Sequence, residues 1–172
     1  CLEDARDRIA HAFDGRSEDV VFTGGGTEAI GLAILGSAGD SPARIAISAV
    51  EHNCVKEAAQ RLATRFGWTI DVIPVDQSGA VVVDSLQDVI GPKTRIVATM
   101  LVNNEVGTIN DISGIARQVR RHAPRAKLVV DAVQAFGKLP FSVKTLGADC
   151  VAVPAHKIHG PKGSGALWTK HA

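Results

Sequence analysis

Apolar residues along this chain follow two alternating rhythms. Short runs rich in β-branched residues recur at Val20-Val21-Phe22, Arg44 to Ser48, Thr69 to Ile73, Arg95 to Met100, Lys127 to Val130 and Cys150 to Val153. Between them the spacing turns helical: Val55, Ala58, Ala59, Leu62, Ala63 and Phe66 line one face, and Ile112, Ile115, Ala116 and Val119 do the same. Nearly continuous apolar runs belong to strands buried on both faces, so the alternation predicts βαβ units around a mostly parallel sheet. The predicted fold class is α/β, a three-layer arrangement with helices flanking the sheet. A final run, Gly165 to Thr169, follows a glycine-rich loop too short for a crossover helix. It is predicted as an antiparallel strand joined to its predecessor as a hairpin.

No Pro/Gly/Ser tract, repeat or low-complexity block divides the 172 residues, so one unit is expected. With 45% hydrophobic and 22% charged residues and a formal charge of +1, the composition is that of a globular domain. Lys and Arg are scattered among acids, and two Trp, five Phe and no Tyr leave little for base stacking, so no nucleic-acid partner is expected. The apolar runs fall short of the ~20 residues that cross a bilayer, so no membrane association is expected either. Three cysteines, at positions 1, 54 and 150, lack the spacing of a disulfide framework or a zinc site, which fits a reducing, cytoplasmic setting. The chain opens on Cys1-Leu2-Glu3-Asp4, with no initiating Met and no signal core, and reads as an internal piece of a longer protein.

Ligands of open α/β sheets bind beyond the carboxyl ends of the strands, and the polar residues of interest directly follow the apolar runs. Gly24-Gly25-Gly26-Thr27 leads from a strand into a helix, where backbone N–H groups, the helix dipole and the Thr27 hydroxyl suit a phosphate; a tight turn is the plainer alternative. His52 precedes a helix, where a neutral imidazole stacks on a ring and shuttles protons, or simply begins the helix. Asn104 lies in Val102-Asn103-Asn104-Glu105-Val106-Gly107, as a donor or as ordinary loop chemistry. Asp131 ends the run Lys127 to Val130, placed to pair with a protonated ring nitrogen or to cap a turn, with Val133 and Gln134 just beyond. Lys157 follows His156 after an apolar strand and precedes Gly160-Pro161. A rigid site that desolvates such an amine makes it a nucleophile toward a carbonyl. Lys162 ranks below it, and His156-x-x-His159 lacks the further ligands of a metal site.

Together, the series GGGTEA, EHNCV, NNEVGTI, DAVQAFGKLP and AHKIHGPKGSGAL resembles the NifS-like cysteine desulfurases of the class V, fold-type I family of pyridoxal 5'-phosphate (PLP) enzymes. The resemblance spans nearly all of residues 1–172. It implies part of a PLP-binding large domain, without the family's N-terminal segment and C-terminal small domain. By that likeness Lys157 carries the cofactor as a Schiff base and later moves protons. His52 stacks on the ring, Asp131 pairs with its nitrogen, and Gly26 and Thr27 hold the phosphate. Asn104 and Gln134 serve the phenolic oxygen and nearby substrate, and His156 belongs to the phosphate side. The implied reaction takes sulfur from L-cysteine to an enzyme cysteine persulfide, leaving L-alanine, for iron–sulfur cluster or thiocofactor assembly. A homodimer and a sulfur-acceptor or scaffold protein are implied as partners. Two departures stand out. The family usually has Ser three residues before the lysine, where this chain has Pro154, without a hydroxyl or an N–H; and Cys1, Cys54 and Cys150 match no persulfide position. A class V aminotransferase, a selenocysteine lyase and a non-catalytic homologue are the alternatives.

Overall fold

Middle strands of this chain are apolar at consecutive positions because both sides of the sheet are covered. In the computed structural model, which describes residues 1–170, Val129, Val130, Val151 and Ala152 have no exposed surface at all. Thirteen named elements, α1 Leu2–Phe13, β1 Val20–Thr23, α2 Gly26–Gly36, β2 Arg44–Ser48, α3 Asn53–Phe66, β3 Thr69–Ile73, α4 Leu86–Val89, β4 Thr94–Met100, α5 Ile112–His122, β5 Lys127–Asp131, α6 Val143–Leu146, β6 Cys150–Pro154 and β7 Gly165–Thr169, form the frame. The strands make one sheet in the order β1-β7-β6-β5-β4-β2-β3. The pairings among β2, β3, β4, β5 and β6 are parallel, and β7 runs antiparallel to both its neighbours, β6 and β1.

Alternation along each strand sorts the core into two layers. Ile96, Ala98 and Val129 pack with α2 and α3 through Ile30, Ile34, Val55 and Leu62. Val97, Leu128 and Val130 face the other way, toward Phe13 of α1, Leu86 of α4, Ile112, Ile115 and Val119 of α5 and Val143 of α6. The α/β, three-layer expectation therefore holds, and so does the closing hairpin strand. Local chemistry sets the helix ends. His52 accepts the Cys54 N–H at the start of α3, Asp111 accepts the Gly114 N–H at the start of α5 (2.8 Å), and Gly67 closes α3 with φ 69°.

Sequence periodicity did not reveal α1, whose only buried residues are Ala10 and Phe13. Its apolar docking centres on one aromatic cluster, beside the Arg6 guanidinium, which donates to the Val20 carbonyl (2.5 Å). The Phe13 ring lies 5.3 Å from that of Phe136 and 6.3 Å from that of Phe141, and Phe13 is fully buried. In the full-length protein, Phe13→Ala is expected to cost about 3–5 kcal/mol of stability, read from the urea midpoint. A loss below about 1 kcal/mol would mean that α1 is not anchored there.

Candidate functional site

Carboxyl ends of β2, β4, β5 and β6 point the same way, and the loops that leave them enclose a cleft of about 800 Å³. All eight residues singled out from the sequence, Gly26, Thr27, His52, Asn104, Asp131, Gln134, His156 and Lys157, line it. At one end lies the glycine turn. Gly25 adopts φ 148°, open to glycine alone, and caps the start of α2. The first N–H with a helical partner is that of Ala29, bonded to the Gly25 carbonyl. The N–H groups of Gly26, Thr27 and Glu28 before it are thus left for an anion, while that of Gly25 reaches the Thr23 hydroxyl (3.4 Å). The Glu28 carboxylate already accepts the Gly24 N–H (2.5 Å), and the Thr23 hydroxyl braces the turn by donating to the Gly25 carbonyl (3.1 Å). Backbone proximity shapes this end: a β-carbon on Gly26 would lie 2.8 Å from Val133 and 3.9 Å from the Pro154 β-carbon. Pro154, buried at the end of β6, thus stands beside the helix start and brings no donor to it.

Asp131 forms the floor. One carboxylate oxygen accepts the Val133 N–H (2.9 Å), and the other has no donor among the described residues. Asp131 therefore caps the turn and also lines the cleft. Burial raises its pKa, opposed by the Val133 N–H and by the nearby His52. His52 Nδ1 accepts the Cys54 N–H (3.2 Å) and lies 3.1 Å from the Cys54 sulfur. The backbone donor makes Nδ1 the acceptor, so the neutral ring carries its proton on Nε2. In the loop after β4, Asn103 does the structural work, its side-chain oxygen accepting the N–H groups of Glu105 and Val106 (2.9 and 3.0 Å). Asn104 beside it is exposed and left for a ligand. Gln134 accepts from Lys138 Nζ (3.1 Å), which leaves its amide N–H groups uncommitted.

Lys157 sits in a 3-10 turn, His156–Ile158, whose shape is fixed by the Ala155 carbonyl accepting the N–H groups of both Ile158 and Gly160. Its ammonium has no hydrogen-bond or ion-pair partner among the described residues, and the side chain is exposed. The turn comes directly after the apolar β6 and lies at the rim of an open-sided cleft. Lys162 lines the same cleft. Sequence reasoning passed over Glu51, noted only as the neighbour of His52. It is buried beside the floor, accepting the Ser48 hydroxyl (2.5 Å) and the Met100 N–H (2.9 Å). Nothing in a carboxylate that follows a strand distinguishes a buried one from a solvated one.

The whole chain, residues 1–172, matches the aminotransferase class-V family, and the protein belongs to it. Over 172 residues it is 37% identical to the cysteine desulfurase IscS of Dictyoglomus turgidum, a match covering 98% of this chain and 43% of that protein. Among solved structures it superposes on a NifS-like protein with a TM-score of 0.93 and 32% identity, over 99% of this chain and 47% of that one. It also superposes on SspA, solved in complex with cysteine, with a TM-score of 0.89 and 28% identity over 99% and 49% of the two chains. The chain thus spans less than half the length of these relatives.

Burial pushes the Cys54 thiol up to about 12, with the Asp131 charge adding to it, and the Cys150 thiol up to about 11. Both are expected to react with iodoacetamide at least a hundredfold more slowly than exposed Cys1 at pH about 8, because the thiolate is the nucleophile. Peptide mass spectrometry of the native protein checks this. Labelling of Cys54 at the rate of Cys1 would contradict the buried, protonated thiol.

Proposed function

We propose that the cleft binds PLP and that the parent protein is a cysteine desulfurase. One observation carries the reading: a lysine, an anion cradle at a helix start, a buried carboxylate with a free oxygen and an imidazole all face one cavity of ligand size. The residues present fit the group. A protonated pyridine nitrogen is a partner for the Asp131 oxygen that has no donor. The phosphate matches the free N–H groups at Gly26 and Thr27 and the Thr27 hydroxyl, at the start of α2. When bound, PLP supplies an electron sink for charge developing on a substrate carbon.

This chain's residues do the rest. Lys157 would hold the cofactor covalently through its amine and, once freed, would move a proton at the substrate α-carbon. Asp131 keeps the ring nitrogen protonated. His52, with its proton on Nε2, covers the ring face and exchanges a proton near the substrate sulfur. The Asn104 and Gln134 amides donate to the phenolic oxygen and the substrate carboxylate, and His156 stands on the phosphate side. In the reaction the cysteine Cβ–S bond breaks, the sulfur joins an enzyme thiolate as a persulfide, and the carbon skeleton takes up the proton to leave alanine. The accepting cysteine belongs elsewhere in the parent: Cys54 and Cys150 are held as thiols, and Cys1 does not line the cleft. The cysteine-bound state of the SspA neighbour supports L-cysteine as substrate. The same reading carries a homodimeric, cytoplasmic parent that hands sulfur to an acceptor or scaffold protein, in keeping with three free cysteines. Pro154 favours a second reading, a sister class V enzyme with a modified phosphate site.

The full-length protein, given PLP, L-cysteine and a thiol reductant, is expected to form sulfide and alanine in equal amounts, with Lys157→Ala slower by at least about a thousandfold. Bound cofactor without sulfide would select the sister enzyme. Pro154→Ser adds a hydroxyl beside the cradle and is expected to tighten PLP about five- to tenfold by fluorescence titration; unchanged affinity would mean that the phosphate does not reach β6.

A further inference from the structure

Glu51 is a buried titratable side chain beside the cleft for which the chemistry above has no use. It follows β2 and immediately precedes His52, the cap of α3. Only 3% of its surface is exposed. Its Oε1 accepts the Ser48 hydroxyl from its own turn and the Met100 N–H from the end of β4 (2.5 and 2.9 Å). Its Oε2 is buried with no hydrogen-bond partner among the described residues. A carboxyl left half unsatisfied in the interior is costly unless it holds something in place.

We propose that Glu51 is a positioning residue: from beneath the cleft it ties the β2–α3 turn to the end of β4, and so fixes His52 relative to Asp131 at the floor. This rests on the PLP reading of the cleft. The chain of contacts is short. Met100 is the residue of β4 paired with Asp131 of β5, and Glu51 reaches its N–H from a turn whose next residue carries the imidazole. One carboxyl therefore joins the strand that bears the floor to the helix cap that bears the ring-facing histidine.

Surrounding charge agrees with a neutral tie. Burial pushes the Glu51 carboxyl up to about 8, against the Ser48 hydroxyl and the Met100 N–H, and repulsion from Asp131 adds to the rise while Lys56 opposes it. The other titratable groups around it are His52 and Cys54 at the start of α3, and Asp76 and Glu105, which share with it the neighbouring groove. Protonated, Glu51 leaves Asp131 as the anion facing the ring nitrogen. Glu51→Gln keeps the acceptor and the neutral form; Glu51→Met keeps the volume and loses the acceptor.

Both variants are made in the full-length protein. In PLP titrations followed by tryptophan fluorescence, Glu51→Gln is expected to bind within about twofold of the parent and Glu51→Met at least about tenfold more weakly. Without cofactor, NMR titration of ¹⁵N-labelled His52 is expected to shift by about half a pH unit or more in Glu51→Met and to stay in place in Glu51→Gln. The folded state holds a proton on Glu51 that the unfolded chain releases. Stability of the parent relative to Glu51→Gln should thus fall as pH rises from 4.5 to about 8. The proposal is overturned if Glu51→Met matches the parent in the His52 titration, if Glu51→Gln does as much harm as Glu51→Met, or if the stability difference is flat across that window. A parent that binds no PLP sinks the cofactor reading alone, since the His52 titration needs none.

Discussion

Where β7 passes the turn after β1, two backbones meet with no side chain between them. A β-carbon on Gly165 would lie 2.8 Å from the Gly25 Cα and 2.7 Å from the Val153 carbonyl oxygen, distances at which neither backbone has room to yield. That approach is what lets a short strand slot between β6 and β1. Because β7 is antiparallel to both, β1 and β6 end on the same side of the sheet. The glycine turn that follows β1 and the lysine turn that follows β6 are brought to opposite rims of one cleft. Without β7 the anion cradle and Lys157 would belong to unconnected parts of the sheet.

Electrostatics at the floor follow from the same geometry. Parallel strands end together, so polar groups that follow them are gathered where water is scarce. Asp131 and Glu51 are both buried, and burial works against ionising either. They are treated differently. Asp131 lines the cleft and has one oxygen satisfied by a backbone N–H and one without a donor among the described residues, so a cationic partner can stabilise its charge. Glu51 has its free oxygen sealed in protein, so for it the neutral form is the cheaper state. Two carboxyls at one sheet edge thus take an anionic and a structural part, divided by where their spare oxygens point.

Much of this was legible in the chain. Parallel strands buried on both faces betray themselves as continuous apolar runs, and α3 and α5 carry their buried faces at helical spacing, because covering a sheet demands it. Polar residues in phase with strand ends mark the cleft in the sequence. What escaped were features without a periodic signature. Helix α1 holds on through Phe13 and Ala10, too few for a stripe. The order of strands depends on crossovers that sequence spacing does not encode. Lys157 was placed after an apolar strand, but the 3-10 turn that carries it is set by hydrogen bonds to the Ala155 carbonyl, not by residue type. Burial of Glu51 depends on how loops from β2 and β4 close over it, a tertiary fact.

PLP binding as proposed requires Lys157 to be the residue that holds the cofactor, and Lys162, which lines the same cleft, is its built-in rival. The direct measurement is borohydride reduction of the full-length protein equilibrated with PLP, followed by digestion and fragment mass spectrometry. The account predicts a pyridoxyl phosphate group fixed on Lys157 and on no other lysine. A group fixed on Lys162 would contradict the site as assigned, and no fixed group at all would contradict PLP binding itself.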